Sequence, residues 1–120
     1  MAKFDNDTLK QLHGQQEVSI RTGAHPETPV TIWVVAPGEE VFVRSVQAAK
    51  GRWFKDLARG GDATLEIAGR RVLVKAIPAI DRGSVERASS EYLRKYRTSP
   101  YAKAMVKAET LPTTLRLEPR

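Results

Sequence analysis

Arg44, Ser45, Lys50, Gly51, Arg52 and Trp53 carry the most concentrated chemistry in this chain, all within ten positions. Three strong cations and a hydroxyl can make charge-assisted hydrogen bonds to a phosphate. Gly51, without a Cβ, lets the backbone approach a ligand closely. The indole of Trp53 can border a flat ring. Together these types point to a phosphate-bearing small-molecule ligand with a planar part. Arg44 is the strongest single candidate, because a strand arginine beside Phe42 needs an anionic partner if it points inward. The plainer readings stand beside these. Twenty Lys and Arg residues make a solvated basic face commonplace, and Trp53 can be a core residue paired with Leu57 on one helix face.

Outside this segment the chemistry is sparse. Arg21 and Thr31 flank the region 23–29 and can face a common cleft. His13 and His25 are too few to hold a metal, so no metal ligand is assigned. No Ser/His/Asp set or carboxylate pair stands out, and no catalytic residue is assigned. The absence of cysteine removes disulfides, thiolate nucleophiles, Cys-type zinc sites and iron–sulfur clusters.

The elements that must position these residues follow from periodicity. Residues 5–13 read as a short helix, capped by Asp5 or Asp7, with Leu9 and Leu12 on one face, Phe4 as a staple and Gly14 as its end. Residues 17–22 alternate as a strand with one polar face. Gly, Pro, His and Pro make 23–29 a loop. Residues 30–36 are apolar at nearly every position, which predicts a strand covered on both faces and room for a second copy of the chain against Trp33. Pro37-Gly38 turns into a strand over 40–46, which delivers Arg44 and Ser45 to its end. A helix over 52–59 follows, its start offering unpaired N–H groups and a positive dipole end to an anion. Gly60-Gly61 stops it. Strands over 62–68 and 71–80 flank Gly69-Arg70. Ser84 caps a helix with the stripe Val85, Ala88, Tyr92, Tyr96. Ser99-Pro100 starts a last helix whose stripe is Tyr101, Ala104, Met105, Ala108, and 113–117 is a final strand. Short antiparallel strands without parallel crossovers tend to close into a barrel that removes their edges.

Bulk composition bounds the answer. A chain of 120 residues with 41% hydrophobic content fits a single domain spanning 1–120. The charge of +6 and pI near 9.9 permit nucleic acid, an anionic membrane surface or a phosphorylated ligand. No run of five like charges occurs, and the aromatics sit on apolar stripes rather than among exposed cations, which disfavours nucleic acid. No signal peptide or membrane-spanning run is visible, so a cytoplasmic protein without a membrane partner is expected.

The set Thr31-Ile-Trp-Val-Val, Glu40-Val-Phe-Val-Arg-Ser, Gly51-Arg-Trp-Phe, Glu91-Tyr-Leu-Arg-Lys-Tyr-Arg and Thr113-Thr-Leu-Arg-Leu-Glu-Pro resembles a small bacterial family of unknown function. More distantly it is similar to the split-barrel flavin-binding superfamily of pyridoxamine-phosphate oxidases and deazaflavin-dependent nitroreductases. The resemblance implies a split β-barrel of six antiparallel strands with flanking helices. It also implies a homodimer with FMN or a deazaflavin coenzyme near the interface, the phosphate lying at Arg44, Ser45, Lys50, Gly51, Arg52 and Trp53. The function it implies is an oxidoreductase acting on a small organic substrate. The chain departs from the nitroreductase pattern at Arg21-Thr-Gly-Ala-His-Pro-Glu-Thr-Pro, where that group carries a Gly-Arg-Lys-Ser-Gly run. A dimeric binding module that has lost the cofactor, and a nucleic-acid binder, stay open as alternatives.

Overall fold

The structure, a computed structural model, describes residues 3–120. Asp5 begins helix α1 (Asn6–Gly14) by accepting a hydrogen bond from the Thr8 amide at 2.7 Å. Leu9 and Leu12 are buried together with Phe4. Strand β1 (Glu17–Thr22) buries Val18, Ile20 and Thr22, as its alternation requires. Strand β2 (His25–Val35) is longer than expected. Most of the loop foreseen over 23–29 is extended, with His25 paired to Thr22, and the turn shrinks to Gly23-Ala24. A register shift between Ile20 and Thr22 accompanies this exposed stretch, where prolines without a donor are tolerated.

Strand β3 (Val41–Val43) is shorter than the 40–46 foreseen. Helix α2 (Arg52–Leu57) follows a 3-10 turn over Ala48–Lys50. Strands β4 (Gly61–Ile67) and β5 (Arg70–Pro78) form a hairpin whose two turn residues are Ala68 and Gly69, with φ of 50° and 83°. Two left-handed residues are what a tight hairpin matching the strand twist requires, which moves the turn one residue ahead of Gly69-Arg70. Helix α3 (Arg82–Lys95) is capped by Asp81, which accepts from the Ser84 amide at 3.1 Å; Ser84, the expected cap, lies inside the helix. The last expected helix is a 3-10 turn over Ala102–Val106. Its tighter period buries Ala102 and Met105 and leaves Tyr101 70% exposed, off the expected stripe. A 3-10 turn over Leu111–Thr113 leads into strand β6 (Leu115–Pro119).

The six strands close into an all-antiparallel barrel in the order β1-β2-β3-β6-β5-β4, β4 pairing back to β1. Its interior holds Ile20, Val34, Val43, Leu65, Val74 and Leu117. Outside β2 and β3, a second layer packs Val35 and Phe42 against Ala88, Tyr92 and Tyr96 of α3 and Met105. That layer covers Val35 and part of Trp33 on the outer face of residues 30–36, and leaves Thr31 exposed. Among the described residues, no helix is long and apolar enough to cross a membrane.

Candidate functional site

The shortness of β3 opens the barrel wall. It pairs with β2 only at Val34–Val43 and Val35–Phe42, and then the chain turns away at Arg44. Residues 30–33 of β2 are left without a neighbour on that side. The gap leads into a cavity of about 440 Å³. Its walls come from residues 30–33 of β2, from Glu17 of β1, from residues 44–47 and 51–53, and from Tyr101 and Met105.

Five of the six residues singled out from the sequence meet there: Arg44, Ser45, Gly51, Arg52 and Trp53. Lys50 does not. It ends the 3-10 turn, is exposed, and lies outside the wall. Thr31 lines the cavity, whereas Arg21 lies elsewhere and donates to the Pro26 carbonyl.

Arg44 is 1% exposed. Its Nε donates to Thr114 Oγ1, its Nη1 to Ser89 Oγ and the Met105 carbonyl, and its Nη2 to the Val85 carbonyl, each at 2.9 Å. The guanidinium also stands 5.5 Å from the centre of the Tyr92 ring. All these partners are neutral. No carboxylate among the described residues pairs with it, and burial lowers its pKa. Four of the five N–H donors of a guanidinium are used, leaving one on Nη2. The side chain is a buried cation without a counter-charge, at the wall of a cavity.

Ser45 supports the same wall. Its amide donates to Thr113 Oγ1 at 3.1 Å, and its carbonyl accepts from the Ala48 amide at 2.9 Å. Its hydroxyl is buried and has no hydrogen-bond partner. Buried hydroxyls are nearly always paired, so an unpaired one bordering a cavity marks a place for a ligand group. Gly51 makes room for it: a Cβ there would come within 2.4 Å of Ser45 Oγ. The expected help from a helix start is small, because α2 has only six residues.

Trp53 is 6% exposed, packs edge-on to Phe54 and belongs to the barrel core with Leu57. It touches the cavity as part of that core. Trp33, read from the sequence as a core or interface residue, is half-buried and also borders the cavity. Its ring lies parallel to Tyr96 at 3.9 Å, with 4° between the planes. The signal was present: alternation puts Trp33 on the face opposite Val34, towards the stripe that carries Tyr96.

The cavity wall holds neither histidine, and no base contacts Ser45 Oγ. His25 instead pairs its Nδ1 with Asp56 at 2.7 Å, an oxygen that also accepts from Thr22 at 2.7 Å. Those bonds hold the Asp56 carboxyl below the usual carboxylate range, Thr22 contributing most. Among the described residues no group of three or more potential metal ligands occurs. The site can therefore neutralise an anion and enclose a partly apolar body; Glu17 and Tyr101 are the titratable groups of its wall besides the two arginines.

A solved structure of a conserved hypothetical protein from Mycobacterium tuberculosis is similar in fold, with a TM-score of 0.61 at 10% identity over 97% of this chain and 79% of that one. A comparison with curated proteins finds no match. The family model described as "Uncharacterized protein conserved in bacteria (DUF2255)" matches residues 8–117, and the chain belongs to this family.

Proposed function

We propose that the cavity binds a small ligand that joins an anionic group to a flat ring, a flavin or deazaflavin nucleotide being the form implied by the split-barrel resemblance. The observation that carries this reading is Arg44, fully buried at the cavity wall with no carboxylate to balance it. A buried charge without a partner is costly, and a ligand phosphate supplies the missing charge. The unpaired Ser45 hydroxyl gives that phosphate a second contact. A bound flavin or deazaflavin ring supplies hydride transfer; this chain's residues hold and orient it. Arg44, Ser45 and Gly51 hold the anionic end, and Arg52 adds charge beside them.

The homodimer belongs to the same proposal. Val46 and Tyr101, both at the cavity, are 63% and 70% exposed, and a second copy would cover them. A binding module without catalysis is the second reading, favoured by the lack of any base beside Ser45 Oγ.

Calorimetric titration with FMN, riboflavin and ribose 5-phosphate tests the site. FMN should bind, and the phosphate-bearing compounds should lose affinity in Ser45→Ala. No heat from any of the three would overturn the anion site. Binding of FMN without reduction of the bound ring by any hydride donor would favour the binding module over the oxidoreductase.

A further inference from the structure

We infer that Trp33 is the stacking platform for the ligand's ring, and that the bare edge of β2 at Thr31 reads a polar edge of that ring. This rests on the anion-plus-ring reading above. An indole serves as a platform when something holds it flat and part of it stays open. Tyr96 lies parallel to Trp33 at 3.9 Å and takes one face. Tyr96 is itself fixed: its hydroxyl accepts from the Val34 amide at 3.2 Å and donates to the Gln16 carbonyl at 2.6 Å. Trp33 is half-buried even so, and the residue borders the cavity. Trp53, by contrast, is committed to the core on most sides.

The backbone beside it adds a reader. Peptide groups alternate between the two edges of a strand. Val34 directs its amide and carbonyl to Tyr96 and Lys95, on the β1 side where Gln16 lies. Thr31, an odd number of residues away, directs its own to the opposite edge. That is the edge left bare once β3 ends at Val43. Thr31 borders the cavity, and no described group pairs with its backbone there. A donor and an acceptor side by side match a lactam or imide edge. The ligand class is therefore a flat heterocycle with an amide-like edge and an anionic tail. A plain sugar phosphate or an aliphatic phosphate would engage the anion end alone.

Three probes separate the parts: FMN carries ring and phosphate, riboflavin the ring alone, ribose 5-phosphate the phosphate alone. Trp33→Leu should weaken FMN and riboflavin by roughly tenfold or more, the scale of lost aromatic stacking, and leave ribose 5-phosphate unchanged. Trp33→Phe should restore most of the affinity. Trp33→Leu also strips Tyr96 of its stack, so a second measurement uses the unaltered chain. Its two indole N–H signals can be assigned with Trp53→Phe. The Trp33 signal should move on adding FMN or riboflavin, since ring-current shifts act only at contact, and stay put with ribose 5-phosphate. FMN binding with an unmoved Trp33 signal, or with full affinity in Trp33→Leu, overturns the platform and leaves the anion site standing. Binding by none of the probes overturns both.

Discussion

Arg44 ties four parts of the chain together: β3, α3, the turn over Ala102–Val106, and the approach to β6. The sequence marks it as a candidate ligand contact, and its four hydrogen bonds give it a structural part as well. Arg44→Met leaves the Met105 carbonyl without its guanidinium donor and strips the Val85 carbonyl to its helical bond, at about 1–3 kcal/mol for a buried acceptor left unpaired, partly offset by removing an unbalanced charge. A loss of roughly 2–4 kcal/mol is expected in urea denaturation. Charge alone could not foretell this, because the acceptors come from residues 41 to 70 positions away. Gly51 makes the converse case. Its φ of −61° suits alanine, so only space forbids a side chain. Gly51→Ala should push the Ser45 hydroxyl aside, costing about 1–3 kcal/mol of overpacking and weakening FMN in titration. Adding Ser45→Ala should recover the melting temperature and not the binding.

Lys95 shows how an element is held by a single side chain. From the last turn of α3 its ammonium donates to the Leu12 carbonyl of α1 at 2.8 Å and the Val34 carbonyl of β2 at 2.7 Å. Burial pulls its pKa from 10.5 down to about 8, with Glu91 opposing. Between those values the unfolded chain keeps the proton and the folded chain has shed it, so stability rises with pH across that window. Tyr96 acts in the other direction. Burial lifts its pKa from 10.0 to about 12, so its contribution is full below pH 10 and fades above. Urea midpoints should climb from about pH 8 to 10 in the wild type, and Lys95→Met should flatten that climb. At the same scale, Asp81→Ala should cost about 1 kcal/mol by removing the α3 cap, while Ser84→Ala should leave the cap bond to the Ser84 amide in place. Strand and helix identities were largely legible, since 17–22 and the stripe Ala88, Tyr92, Tyr96 follow their periods closely. The boundaries were not. The length of β3 is set by where the chain leaves the sheet beside the cavity, and β2 is carried back into the foreseen loop by the His25–Thr22 pair at its start, neither of which local composition records.

The whole molecule is nearly isometric, 31 × 29 × 27 Å, with the cavity placed where two layers meet. The barrel was legible from short antiparallel strands without crossovers, and five of the cavity residues from one compact basic segment. Trp33, Tyr101 and Met105 were not placed with them, because only the closed barrel brings residues near 30, 45, 52 and 103 into one wall. Sedimentation at micromolar concentration should show a dimer that Val46→Glu disrupts; a monomer would confine the site to one chain. The order of the strands has a further consequence during synthesis. β6 is made after the other five strands, yet it lies between β3 and β5. Until residues 115–119 emerge, the nascent chain is an open sheet with two bare edges, and the Arg44 guanidinium lacks the Thr114 acceptor that precedes them. The barrel therefore closes only once β6 has emerged, and the interval before that is when edge-to-edge misassembly threatens it most.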